Sequence, residues 1–156
     1  MTGGATAIPE VQALLRVLGA GRDVAELGAA FGETAALLAE TARSVVTVER
    51  DPERAAVARE RLDGLVNVEL LEGDAYEQLR GRGPFGLVFA DVGRPYDWEA
   101  ILALTEPGGL IVKDDLTPGR APEGDEAREF LLRDPRVVAA EILATPELAV
   151  IVAARR

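Results

Sequence analysis

The sequence predicts an α/β protein: a mostly parallel sheet covered on both faces and ending in an antiparallel hairpin. Three observations predict it. Short apolar runs such as "DVAEL", "SVVTVE" and "FGLVFA" alternate with segments that carry helix signals. The runs are continuous rather than alternating, which marks strands buried on two faces. The last two, "RVVAAEIL" and "ELAVIVAA", are separated only by Ala144, Thr145 and Pro146. A parallel crossover needs far more chain, so these two strands must be antiparallel.

The elements run in order along the chain. Val11, Leu14, Leu15 and Leu18 have helical spacing, with Pro9 suited to the first turn and Gly19 to the stop. Asp23–Leu27 is the first strand and Glu33–Thr41 the next helix. Ser44–Glu49 is the second strand. Asp51-Pro52 supplies an N-cap and a first-turn proline for a helix running to about Leu62, closed by Gly64. Val66–Leu71 is the third strand and Ala75–Arg80 a short helix. Phe85–Ala90 is the fourth strand, with a helix from about Asp97 to Leu104 after it. Gly109–Lys113 is the fifth strand, and a helix near Glu123–Leu132 precedes the hairpin. The loose stretch Thr117–Gly124, "TPGRAPEG", is either a plain surface connection or a lid beside a site.

Composition narrows the function. We expect residues 1–156 to form a single domain. There is no cysteine and no histidine, which removes thiolate chemistry, the usual general base and the usual transition-metal ligand. The net charge of −10 argues against a nucleic-acid partner, which would need a basic surface to displace counterions. The start "MTGGATAIPE" lacks the basic and apolar regions of a signal peptide, and "LAVIVAA" is too short to span a bilayer. A soluble cytoplasmic protein, away from the membrane, is the expectation.

In open parallel sheets, ligands bind beyond the carboxyl ends of the strands. Those ends carry Glu26 and Gly28, then Glu49, Asp74, Asp91, and Asp114 with Asp115. Six carboxylates and one glycine form an acidic rim. Dinucleotide sites use G-x-G-x-x-G to bring backbone close to a pyrophosphate. Here the turn reads Gly28-Ala29-Ala30-Phe31-Gly32, without the middle glycine. An acidic rim suits a nucleoside carrying positive charge.

Glu26-x-Gly28-x-x-x-Gly32, then Glu49, then "EGDA" (Glu72–Ala75) and the terminal hairpin resemble the class I S-adenosylmethionine-dependent methyltransferases. The resemblance implies a Rossmann-like three-layer sandwich with strand order 3-2-1-4-5-7-6. It implies that Glu26, Gly28, Ala29, Gly32, Glu49, Arg50, Gly73, Asp74, Ala75 and Asp91 line the cofactor. Glu49 would hold the ribose, and Asp74 and Ala75 would flank the adenine. "LVFADVGRPYDWE" and "GGLIVKDDLTPG" are similar to the cation-dependent catechol and caffeoyl-CoA O-methyltransferase group. That similarity implies a Mg²⁺ site at Asp91, Asp114 and Asp115 and O-methylation of a small aromatic or hydroxylated molecule. A hard cation wants oxygen ligands, and it would lower the acceptor hydroxyl's pKa and aim its oxygen.

Two positions depart from that group. Its Asn ligand is Asp115 here, and its lysine base is Arg94, a guanidinium that stays protonated. Asp91, Arg94 and Lys113 are the candidate catalytic residues. Lys113 is a base, a counter-ion that replaces the metal, or a strand-end salt-bridge partner. Tyr96 and Trp98 either stack on an aromatic acceptor or belong to the next helix. The short stretch before the first strand leaves the acceptor pocket open or completed by a second subunit of a homodimer. The alternative function is a cofactor-binding or scaffold protein with weak or lost catalysis. A nicotinamide-dependent oxidoreductase stands third, disfavoured by the missing glycine and the hairpin.

Overall fold

The computed structural model describes residues 6–156. The signal-peptide expectation falls partly on the first five residues, which lie outside the described ones. The chain runs α1 (Pro9–Gly19), β1 (Asp23–Leu27), α2 (Glu33–Ala39), β2 (Ser44–Glu49), α3 (Pro52–Leu62), β3 (Val68–Glu72) and α4 (Ala75–Leu79). It continues β4 (Phe85–Ala90), α5 (Trp98–Leu104), β5 (Thr105–Leu116), α6 (Glu126–Arg133), β6 (Val137–Thr145) and β7 (Leu148–Arg155). The seven strands form one sheet in the order β3-β2-β1-β4-β5-β7-β6. β1 to β5 pair in parallel, and β7 is antiparallel to both β5 and β6.

The alternation of side chains along each strand sorts the core into two faces. Val24, Val45, Leu87, Phe89, Val112 and Val150 pack under α1, α2 and α3. Ala25, Leu27, Val48, Val88, Ile111 and Ile151 pack under α4, α5 and α6. Because both faces are covered, β1 and β4 carry no exposed positions, and β4 is buried throughout.

Among the boundaries that moved from the sequence expectation, those at β3, β5 and α6 have a visible local reason. β3 starts two residues later, at Val68, because Asn67 turns its amide back onto the Ala39 and Ala42 carbonyls and leaves Val66 exposed. β5 is longer than Gly109–Lys113. Its pairing with β4 jumps from Phe85–Thr105 to Leu87–Leu110, so Glu106–Gly109 bulges outward. α6 starts at Glu126, since Asp125 is its N-cap and accepts from the Arg128 amide. α2 stops at Ala39, two residues short of Thr41. No helix among the described residues is long and apolar enough to cross a membrane.

Candidate functional site

The turn after β1 is narrow and internally bonded. Gly28 has φ of 101° and Gly32 has φ of 78°, conformations that favour glycine. A Cβ at Gly28 would stand 2.1 Å from the Asp91 carbonyl oxygen, so the turn lies directly against the tip of β4. At Gly32 a Cβ would meet Ala58 at 3.2 Å, so this glycine lets α2 approach α3. Four amides of the turn are already committed. Gly28 and Ala29 donate to the Val48 carbonyl, Gly32 donates to Ala29, and Ala30 donates to the Glu49 carboxylate. A pyrophosphate cradle requires free amides pointing at the ligand, and these do not offer them.

Glu49 is the keystone of this half. One oxygen accepts from Ala30 N and the other from Asp51 N, both at 2.8 Å. The carboxylate is buried and fixed in direction, and each oxygen keeps lone pairs for a further donor. Beside it, Gly73 donates to the Glu49 carbonyl and has φ of 139°. Asp74 is exposed and caps α4 by accepting from Tyr76 N and Glu77 N, with Ala75 buried behind it. Arg50 is exposed at the same edge.

Glu26 lies deeper. It is 1% exposed and sits opposite Thr47 in the β1–β2 register. The Thr47 hydroxyl donates to it at 2.5 Å. Burial pushes its carboxyl up to about 8, a rise that the Thr47 bond opposes and the charges of Asp91, Asp114 and Glu49 reinforce. Burial thus favours the protonated form of Glu26. The sequence alone did not point to Thr47, and only the strand register pairs the two.

The acidic corner forms where β4 and β5 end. One carboxylate oxygen from each of Asp91, Asp114 and Asp115 lies within 4.8 Å of the others. Burial raises Asp91 and Asp114 above the usual carboxylate range; the Asp114 charge adds to the rise at Asp91, and the Lys113 charge opposes it at both. Asp114 Oδ1 is buried without a hydrogen-bond partner. Its nearest counter-charge, the buried Lys113 Nζ, stands 3.8 Å away. Asp115 is exposed and left-handed, with φ of 57°, a conformation that aspartate tolerates better than most side chains. Three hard oxygens and an orphaned acceptor suit a divalent cation. Ligands at about 2.1 Å from Mg²⁺ lie at most about 4.2 Å apart, and Ca²⁺ accommodates wider sets. The corner is therefore compatible with a divalent cation such as Mg²⁺ or Ca²⁺.

The other candidates surround this corner at different depths. Arg94 is exposed on the loop after β4, and its charge is felt at Asp125 beside α6. Lys113 Nζ lies 5.7 Å from the Tyr96 ring centre. Trp98 is a core residue, stacked on Phe130 at 5.2 Å, and Tyr96 is half-buried against it at 5.0 Å. A cleft of about 290 Å³ between α4 and α5 is lined by Tyr76, Leu79, Arg80 and Asp97 among others, and neither Gly28 nor Glu49 borders it.

No family model matches the chain. Among curated proteins it is 36% identical over 112 residues to a protein-L-isoaspartate O-methyltransferase of Trichlorobacter lovleyi, covering 70% of this chain and 48% of that protein. It is 33% identical over 119 residues to a catechol O-methyltransferase of Niastella koreensis, covering 66% of this chain and 53% of that protein. The chain spans about half the length of the curated relatives it matches. Among solved structures it superposes on an O-methyltransferase from Bacillus cereus in complex with SAH, with a TM-score of 0.74 and 24% identity, over 97% of this chain and 83% of that one. By fold and by sequence similarity, the chain groups with the class I S-adenosylmethionine-dependent methyltransferases, near their catechol O-methyltransferase group.

Proposed function

We propose that this chain is an S-adenosylmethionine-dependent methyltransferase that O-methylates a small aromatic or hydroxylated molecule. The observation that carries the reading is the turn after β1. Its amides are consumed internally while Glu49, held rigidly by two of the neighbouring amides, keeps spare acceptors. Such a turn serves a nucleoside with two ribose hydroxyls and no pyrophosphate.

In this reading Glu49 accepts the ribose hydroxyls, and Asp74 and Ala75 flank the adenine. Gly28, Ala29, Gly32 and Gly73 give the turns their shape, and Arg50 borders the ribose edge. Glu26 and Asp91 face the cationic methionine end. Asp91, Asp114 and Asp115 would hold a divalent cation, whose chemistry is to acidify and orient an acceptor hydroxyl. Methyl transfer is an in-line displacement, so fixed positions of donor and acceptor supply much of the rate. Lys113 balances the charge of Asp114 and stands beside the acids as the candidate base or counter-ion. Arg94 orients an anionic acceptor.

Calorimetric titration with S-adenosylhomocysteine tests the cofactor half, and a panel of catechols, phenols and an isoaspartyl peptide tests the acceptor. The peptide belongs in the panel because the isoaspartate enzymes are among the relatives. Micromolar binding with methylation of a catechol supports the reading; binding without turnover on any acceptor supports the second one, a cofactor-binding protein that has lost catalysis. Arg94 favours that second reading, since a guanidinium cannot act as base.

A further inference from the structure

We propose that the first turn of α6 is a bracket that positions the acidic corner, with Arg128 as its positioning residue. The inference rests on reading Asp91, Asp114 and Asp115 as the working end of the site.

Arg128 is 0% exposed, an unusual position for a guanidinium. Its Nη2 donates to the Thr117 carbonyl at 2.8 Å and its Nη1 to Asp125 Oδ2 at 2.6 Å. Nε and Nη2 form a fork onto Glu141 of β6, at 2.8 and 2.7 Å. The chemistry of these partners is selective. Thr117 and Asp125 are the two ends of the loop that leaves β5. One buried cation therefore closes the loop at its base and ties that base to the sheet through Glu141. Thr117 is two residues beyond Asp115, and a left-handed aspartate keeps its conformation only where the adjoining chain is fixed.

The same turn holds the other side of the corner. Glu126 Oε1 accepts from Tyr96 N at 3.2 Å, which fastens the loop after β4 that begins at Asp91. Thus α6 grips both chains that carry the acids. Further along, Gly124 N donates to Glu129 at 3.0 Å and Arg133 pairs with Glu123, so the C-terminal half of the loop is also tied to α6. This leaves Pro118–Ala121 as the part able to move. The stretch "TPGRAPEG" is then a flap with a fixed base, not a lid swinging on its ends.

A structural strut and a positioning residue differ in what they change. Losing a strut loosens the whole sheet. Losing the bracket loosens the corner alone and weakens cation binding, while the turn after β1 keeps its own bonds. Supporting residues of this kind alter metal affinity by about 10- to 100-fold.

The test compares the wild-type chain with Arg128→Lys and Glu141→Gln by peptide-resolved hydrogen–deuterium exchange, Mn²⁺ titration and S-adenosylhomocysteine titration. Lysine keeps the charge but cannot form the fork or reach three partners. In Arg128→Lys, amides from 114 to 124 should exchange about tenfold faster, with those of β1 and β2 unchanged. Mn²⁺ affinity should fall about tenfold and S-adenosylhomocysteine affinity stay within about twofold. Glu141→Gln should move the same readouts in the same direction by less, and it decides the matter if Arg128→Lys does not fold. Unchanged loop exchange would overturn the proposal, as would faster exchange across all strands, or equal loss of both ligands. A wild type that binds no Mn²⁺ or no S-adenosylhomocysteine would instead count against the proposed function, and the exchange pattern would still decide the bracket.

Discussion

The two halves of the rim are built on opposite principles. On the β1–β2–β3 side, polar groups have found each other: Glu49 is pinned by two amides, Asp74 caps its helix, and Glu26 meets Thr47. On the β4–β5 side, they have not. Asp114 Oδ1 has no hydrogen-bond partner, Asp115 is left-handed, and Lys113 is buried at 3.8 Å from the acid it balances. In the first half the polar groups satisfy one another, whereas in the second an unpartnered acid stands beside mutually repelling carboxylates. The difference teaches that one half of the rim is internally satisfied and the other is not; in the proposed function the first half recognises and the second reacts, since unsatisfied and perturbed groups collect where chemistry is done.

The comparison can be broken by mutation. The largest effect is expected at Glu49. Glu49→Ala removes two charge-assisted acceptors from the ribose and frees the Ala30 amide, so S-adenosylhomocysteine affinity should drop by about 100-fold or more in calorimetry. A drop below about fivefold would mean that the turn is not the cofactor's seat.

Next comes Lys113. Lys113→Met leaves Asp114 buried without its counter-charge, which should cost about 3 kcal/mol in denaturant unfolding without divalent cations. Saturating Mg²⁺ or Ca²⁺ should restore most of that loss if the acids converge on an ion. Equal loss with and without cation would make Lys113 a simple packing residue.

Glu26 sharpens the comparison through pH. Its carboxyl is raised from 4.5 to about 8 in the folded chain. Well below pH 4.5 both states are protonated. As pH rises toward 8, the unfolded chain releases this proton while the folded chain retains it, so stability falls. Glu26→Gln should therefore be more stable than the wild type at pH 8, by about 1–3 kcal/mol, and close to it at about pH 4.5. Thermal melts at the two pH values check this; a gain at low pH instead would reverse the assignment.

The smallest effect is expected at Asp115. Asparagine also accepts a left-handed backbone, so Asp115→Asn should keep the fold and lower cation affinity only about three- to tenfold in a Mn²⁺ titration. Asp115→Ala should add about 1 kcal/mol of backbone strain to the lost ligand.

Much of the fold is legible in the amino-acid sequence. Strand positions are, because a two-sided sheet demands continuous apolar runs, and five elements have the bounds read from sequence: α1, β1, β2, α3 and β4. The hairpin is, because three residues cannot cross a sheet. From the residues alone the corner is legible only as a set of strand-end acids; the grouping of Asp91, Asp114 and Asp115 comes from the family resemblance, and the β4–β5 register brings them together. Arg128 is not legible at all. In sequence it is one arginine on a charged helix, and its burial arises from partners at 117, 125 and 141 that no local pattern connects. Trp98 illustrates the converse: an aromatic beside a candidate site stacks inside the core on Phe130.

The central claim is that the rim receives a cationic sulfur nucleoside. Its most direct measurement is calorimetry of the purified chain with S-adenosylmethionine and with NAD⁺ as a control. The account predicts micromolar binding of the sulfur nucleoside, abolished by Glu49→Ala, and none of the dinucleotide. Absence of S-adenosylmethionine binding at millimolar concentration, or binding of NAD⁺ in its place, would contradict it.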